Sequence, residues 1–224
     1  LGDIGRSFGR NKAIELAIKQ GAEAVALTNV CELFPAWLKT IVAPIERHEA
    51  DVVGGAYIIK TSNERESALA LLTQYSPADG SFHYTALSMA LAADVLADVN
   101  GFNIGLDTSE DTEFVGRLKR SGARMVFEPF ACVNWRPSTL TLRGAVRTYY
   151  QFAKTDGKAR LMLKQYAVTY AAYALIVTIP FWLAYRVRKV VRARLWRQVP
   201  LALLTVVGMD IARMVGFVVG WEPR

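Results

Sequence analysis

Two periodicities run through the chain, and their alternation predicts its elements. "RNKAIELAIKQG" has apolar positions at helical spacing, sets Ala13, Leu16, Ala17 and Gln20 on one face, and stops at Gly21. "EAVALTNV" is a short apolar run that reads as a buried strand ending near Thr28. "PAWLKTIVAPIERH" returns to the helical period, with Pro35 near the start and Trp37, Ile41 and Ile45 along one stripe. "ADVVGGAYII" reads as a strand whose Gly54-Gly55 pair marks a bend or a close backbone approach. Residues 60 to 79 show no clear period. "AADVLADVNGF" predicts a short helix closed by a turn, and "ARMVFEPFACVNW" one or two further strands. Strands alternating with helices predict an α/β layer fold.

Beyond about residue 160 the pattern changes. "YAVTYAAYALIVTIPFWLAY", residues 166 to 185, carries no formal charge and has roughly the length that spans a bilayer. The basic segment "RVRKVVRARLWRQ" follows. Residues 199 to 221, "VPLALLTVVGMDIARMVGFVVGW", are apolar again except for Asp210 and Arg213. A buried hairpin of a soluble protein has the same appearance, but the length, the terminal aromatic residues and the flanking cations favour membrane contact.

Charge divides the chain in the same place. Residues 1 to 135 hold 12 Lys+Arg and 17 Asp+Glu, a net of −5, whereas residues 136 to 224 hold 15 and 3, a net of +12. An acidic globular part is thus joined to a basic part that faces a membrane or a polyanion. Between two apolar runs, lipid headgroups are a simpler partner for the cations than nucleic acid. Cys31 and Cys132 are too few for a disulfide framework and read as free thiols in a reducing compartment. The chain opens without Met in a Gly-rich loop leading straight into a helix, so the expectation is that earlier strands of the domain precede it.

The acidic stretch "GLDTSEDTEFVGRLKRSG" stands out in this setting. Asp107, Glu110, Asp111 and Glu113 fall within seven positions. A helix start explains their tolerance: Thr108 or Ser109 caps, the acids occupy the first turn where the helix dipole favours anions, Phe114, Val115 and Leu118 form the apolar face, and Gly122 ends it.

"ADVLADVNGFNIGLDTSEDTEFVGRLKRSGARMVFEPFACVNW" also resembles the second half of the catalytic domain of family 2, GT-A type, glycosyltransferases. Gly101-Phe102 match that family's Gly-Phe pair, with Asn100 in place of a Gly, Glu110-Asp111 its Glu-Asp pair, and Arg117-Leu118 its Arg-Leu pair. Upstream, "FGRNKAIELA" resembles its Ala-Arg-Asn helix entry, "VALTNVCELFPAWLKTIV" its strand, metal motif and Trp-Leu helix, and "ADVVGG" its next strand. The resemblance covers residues 5 to 155. It implies a GT-A-like, Rossmann-like α/β domain over residues 1–159 lacking its first strands, followed by a membrane-associated helical region over residues 160–224. It implies further an inverting glycosyltransferase that moves a sugar from a nucleotide-diphosphate donor to a lipid-linked or envelope glycan acceptor. Asp111 is then the catalytic base, taking the proton of the attacking hydroxyl, with Glu110 beside it as second candidate. A close pair of like charges would also raise one carboxylate's pKa.

The resemblance is incomplete at the donor side. The family's Asp-x-Asp metal motif falls on Asn29 and Cys31. Mg²⁺ or Mn²⁺ prefers carboxylate oxygen, so Asn29 is left as a donor-side contact, Cys31 is a poor ligand, and Glu32 reaches inward only if the chain rearranges. Ser88 stands where an Asn is frequent, and Trp135 near the place of a His. Arg143 and Arg147, one turn apart in a basic-aromatic helix, are candidates for the donor diphosphate or for lipid headgroups. His48 and His83 are assigned no role. The rival reading is a catalytically inactive membrane-bound homologue serving as a scaffold or assembly subunit.

A sugar-nucleotide enzyme at the cell (inner) membrane keeps its catalytic part cytoplasmic. Two simple spans would then put residues 186–197 outside, against the positive-inside rule. Pro180 offers a break, so the first run is expected to be re-entrant or interfacial, and Asp210 and Arg213 to pair on one helix face.

Overall fold

The computed structural model describes residues 5–29, 31–73, 84–137, 140–159, 161, 163–174 and 178–221. They form two compact units, Leu1–Lys60 with Tyr75–Arg136, and Thr61–Gln74 with Pro137–Arg224. His83 lies outside the described residues.

The first unit is a mixed sheet covered by helices on both faces. Its strands are β1 (Ala24–Thr28), β2 (Cys31–Leu33), β3 (Val52–Ile59), β4 (Ser88–Ala92) and β5 (Met125–Trp135), in the order β1-β4-β3-β5-β2. Only β3 and β5 run parallel. Period-two alternation assigns the faces. Leu27, Val52, Met89 and Leu91 point to one side, where α1 (Arg6–Lys19), α4 (Ala93–Asp98) and α5 (Glu110–Arg120) contribute Ile14, Val95, Phe114 and Leu118. Val53, Ala90 and Val133 point to the other, against Trp37, Ile41 and Ile45 of α2 (Trp37–Glu46). These are the three residues whose spacing predicts the α2 stripe. The intervening helix, α3 (Glu64–Thr73), belongs to the second unit.

Three local readings change. The α1 face is Ser7 and Ile14, both buried, while Leu16 is 57% exposed, because the packed stripe runs from Ser7 through Arg10 and Asn11 to Ile14. β4 was not predicted: "SMALA" runs directly into α4 with no turn residue between them, so period alone merges the two. β2 is three residues long and owes its existence to β5, Cys31 pairing with Trp135 and Leu33 with Val133.

The Gly54-Gly55 pair is a close approach. A Cβ on Gly54 would fall on the Tyr84 ring, and one on Gly55 on Ser88 Oγ and the Ala131 carbonyl. Ser88 is a buried link, donating to that carbonyl at 2.9 Å and accepting from Trp37 Nε1 at 2.9 Å. Its small hydroxyl joins sheet to helix.

The second unit is helical, with α3, α6 (Leu142–Ala159), α7 (Leu163–Ala174), α8 (Ile179–Arg192), a 3₁₀ turn at Trp196–Gln198 and α9 (Val199–Gly220). Within the uncharged run 166–185, Pro180 lies in the first turn of α8, where a missing N–H costs nothing. Residues 196–220 form a helix long and apolar enough to cross a membrane, half of whose most apolar stretch is buried inside the protein. Its N-terminal half packs on α3 and α8 through Ala202 and Val206, and its C-terminal half on α6. A Cβ on Gly216 would sit 2.5 Å from the Tyr150 carbonyl oxygen, and Gly157 and Gly220 lie as close to Phe217 and Lys154 backbone. Small residues let two helices approach at backbone distance. Gly216→Val is expected to lower stability by about 1–3 kcal/mol or more, read as a drop in melting temperature of the detergent-solubilised chain. An unchanged transition would mean that this packing does not hold.

Asp210 and Arg213 do not pair with each other. Asp210 is fully buried and takes Arg186 Nη1 at 2.7 Å, Trp182 Nε1 at 3.0 Å and Tyr173 OH at 3.2 Å. Arg213 lies over the rings of Tyr149 and Tyr166, at 5.1 and 5.6 Å. Neighbouring helices supply better geometry than an i,i+3 pair, and a buried carboxylate needs all of it.

Candidate active site

The site is built where α1 meets the loop into α5. Three residues of α1 each hold a different part of that loop. Arg6 Nη2 donates to the Asp107 carbonyl at 2.9 Å. The Asn11 amide grips both backbone groups of Phe102, donating to its carbonyl at 2.9 Å and accepting its N–H at 2.7 Å. Arg10 Nη1 donates to Glu110 Oε1 at 2.7 Å, with its guanidinium 5.3 Å from the centre of the Phe102 ring. Gly101 is required here: its φ is +40°, and a Cβ would stand 2.6 Å from Asn11 Oδ1. The "RN" of the helix entry and the "GF" of the loop are thus one contact.

From the other side, Arg117 closes the loop. It makes a two-pronged pair with Glu113 at 2.8 and 2.9 Å, donates to the Gly101 carbonyl at 2.5 Å, and lies 5.3 Å from the centre of the Phe114 ring. Its role is to hold the helix to the loop.

The capping differs from expectation. Ser109 occupies the N-cap position in a left-handed conformation, φ 56°, and makes no side-chain cap bond. A left-handed residue other than Gly or Asn is uncommon and is held by its surroundings. The turn this creates sends the two adjacent acids different ways. Glu110 is buried at 6% exposure against Arg10, whereas Asp111 is half-exposed, with Oδ1 accepting the Thr112 N–H at 2.8 Å. Glu110 is therefore an anchor whose charge Arg10 matches, and Asp111 is the less buried of the two adjacent acids.

Asn29 follows directly on β1 and is half-buried. Cys31 opens β2, and burial pushes its thiol pKa up, which keeps it protonated and a poor ligand. Glu32 is exposed and paired with Lys60. Among the described residues no group of three or more His, Cys, Asp or Glu is placed to hold a metal. This donor set does not fit Mg²⁺ or Mn²⁺, which take several hard oxygens. Trp135 stacks edge-on with Tyr57 at 6.0 Å, filling space at the end of β5. Arg143 and Arg147 are exposed on α6 in the second unit, while Asn29, Glu110 and Asp111 belong to the first.

Arg10, Asn11 and Arg6 were the residues that sequence reasoning left without a role. One signal pointed to them: polar side chains at positions 10 and 11 lie on the same helical face as the buried Ser7 and Ile14.

No protein-family model matches the chain, and no curated protein sequence does. Among solved structures, the chain resembles the mannosyltransferase PcManGT from Pyrobaculum calidifontis, determined in complex with GDP-Man and Mn²⁺. The TM-score is 0.51 at 15% identity, and the match covers 92% of this chain and 66% of that one. The chain thus shares the fold of a glycosyltransferase over nearly its whole length and spans just under two thirds of that enzyme.

Proposed function

We propose that the protein is an inverting, GT-A type glycosyltransferase that moves a sugar from a nucleotide-diphosphate donor to a lipid-linked or envelope glycan acceptor at the cytoplasmic face of the cell membrane. The observation that carries this is the division of labour at the start of α5, with Glu110 locked to Arg10 and Asp111 half-exposed one residue on. The neighbour's bound GDP-Man supports the donor class. Asp111 accepts the proton of the acceptor hydroxyl as its oxygen bonds to the anomeric carbon, and the bond to the nucleotide diphosphate breaks on the opposite face. Asn29 contacts the donor from the end of β1. The neighbour's Mn²⁺ keeps a divalent cation compatible with the fold, but Asn29 and Cys31 offer no carboxylate pair for one, and the roles assigned here are those of the side chains alone. In this reading residues 1–159 supply the catalysis and residues 160–224 the membrane association. The decisive experiment is donor hydrolysis and sugar transfer by the membrane-embedded protein, with Asp111→Asn as control.

A second reading, an inactive homologue serving as scaffold, is favoured by the Asn29 and Cys31 positions. The same assay separates the two, since a scaffold turns over no nucleotide sugar.

The first apolar run is re-entrant or interfacial in this proposal. What supports it is Pro180 in the first turn of α8, a helix of 14 residues that rises roughly 21 Å against a hydrocarbon core of about 30 Å. With Cys31 and Cys132 replaced by Ser, Arg192→Cys is expected to resist an impermeant thiol reagent applied to intact cells. Labelling from outside would show that the run spans. Position 222, a natural second probe, lies outside the described residues.

A further inference from the structure

β1, β3 and β5 run in the same direction, because β4 is antiparallel to both β1 and β3, and β5 is parallel to β3. Their C-terminal ends, Thr28, Ile59 and Trp135, therefore lie along one rim of the first unit. Helix α5 feeds β5 through a short turn and packs on the sheet by Phe114 and Leu118. It thus runs back against that strand and sets its first turn, with Asp111, at the same rim. The carboxyl ends of strands are where open α/β sheets take their ligands.

The groups that this rim offers a diphosphate are not those of a metal site. Asn29 presents an amide and Cys31 a thiol, where a hard divalent cation needs carboxylates. Trp135, paired with Cys31 between β5 and β2, has an indole N–H and no lone pair to give. Glu32, next along β2, is taken by the Lys60 ammonium, which reaches it from the end of β3. The Lys60 N–H donates to the Trp135 carbonyl at 2.8 Å, so its backbone is fixed, while its side chain stays 45% exposed. Two strand spacings, about 10 Å, separate the backbones of Lys60 and Cys31, and the Lys60 stem covers most of that distance on its way to Glu32. A divalent cation in a carboxylate-lined site bridges two sets of anions, those of the protein and those of the ligand. An amide and a thiol leave nothing on the protein side to bridge, and an ammonium at the rim supplies the countercharge directly.

We infer that this rim takes the nucleotide diphosphate without a divalent cation, and that Lys60 is the cation that binds it. Phosphate oxygens replace the Glu32 carboxylate on the ammonium, and the Asn29 amide at the end of β1 is a second, neutral contact. The inference deepens the donor half of the reading above and rests on it. It sets this chain apart from the mannosyltransferase it resembles, which was determined with Mn²⁺ as well as GDP-Man.

The test uses the whole chain in non-ionic detergent and measures the binding of GDP and of UDP, once in EDTA and once in Mn²⁺. Electron paramagnetic resonance follows Mn²⁺ uptake. The tighter nucleotide is expected to bind within about twofold as well in EDTA as in Mn²⁺, and the chain to take up no Mn²⁺ beyond what the nucleotide holds in solution. Lys60→Gln is expected to weaken binding roughly tenfold, the loss of one charge-assisted contact, and Lys60→Arg to retain most of it. Asn29→Asp combined with Cys31→Asp restores a carboxylate pair, and should weaken binding in EDTA and recover it in Mn²⁺. Circular dichroism and melting curves confirm that each variant is folded. Nucleotide binding by the parent chain that appears only with Mn²⁺ would overturn the inference and leave the donor reading standing. A silent Lys60→Gln, or a double variant indifferent to Mn²⁺, would also overturn it, since the diphosphate then lies elsewhere. If neither nucleotide binds in either solution, the donor reading itself fails and takes the inference with it.

Discussion

Asp111→Asn is expected to lower sugar transfer by roughly 10²- to 10⁴-fold, the usual contribution of a positioned general base. The melting temperature should hardly move. Asp111 is half-exposed, and its Oδ1 accepts the Thr112 N–H at 2.8 Å, which an Asn oxygen can also do. The fall should lie in kcat, because the group acts on a proton in flight rather than on bound substrate. Donor affinity should be retained, since only the acceptor hydroxyl meets this carboxylate. Transfer at the unmodified rate would remove Asp111 from the chemistry and leave the sugar-transfer reading without a base.

Arg10→Ala should do the opposite, damaging the fold first. Its partner Glu110 has an 8% exposed side chain and Arg10 itself 15%, so the substitution leaves a buried carboxylate without its cation. Removing one member of such a pair costs about 3–5 kcal/mol. Denaturant unfolding of the chain should show that loss, together with poorer transfer, because the loop from Phe102 to Glu110 carries Asp111. Glu110→Leu combined with Arg10→Met is expected to recover most of the stability, since the charge to be matched is then gone. Transfer would return only as far as the turn returns to its place. If Arg10→Ala unfolds like the parent chain, Glu110 finds another partner and is no anchor.

Together the two variants separate the neighbours that sequence alone treats as equivalent. "ED" gave two carboxylates and a family precedent for one of them. The first turn of a helix explains why both are tolerated, and says nothing about which is sealed. The left-handed Ser109 and the approach of α1 decide that, and neither has a local signature strong enough to read.

Much of this protein was legible in its sequence because burial imposes a period. The α2 stripe Trp37, Ile41 and Ile45, the α5 face Phe114, Val115 and Leu118, and the β3 strand were all set by repeats of 3.6 or 2. Gly21 and Gly122 marked helix ends through their positive φ, 85° and 83°. Pro180 marked the start of α8, because a proline suits a first turn and not a helix interior. What the sequence could not decide was every choice that depends on a distant partner. β2 exists through its pairing with β5, and β4 hides against α4 because a strand without a turn residue after it has no boundary. Asp210 took Arg186 across 24 residues instead of Arg213 on its own helix, since three donors from α7 and α8 satisfy a buried carboxylate better than one neighbour at an awkward angle. Arg10 and Glu110 are 100 residues apart, and periodicity carries no information across that separation. Local pattern records which face is apolar; only the folded chain determines which polar groups meet there.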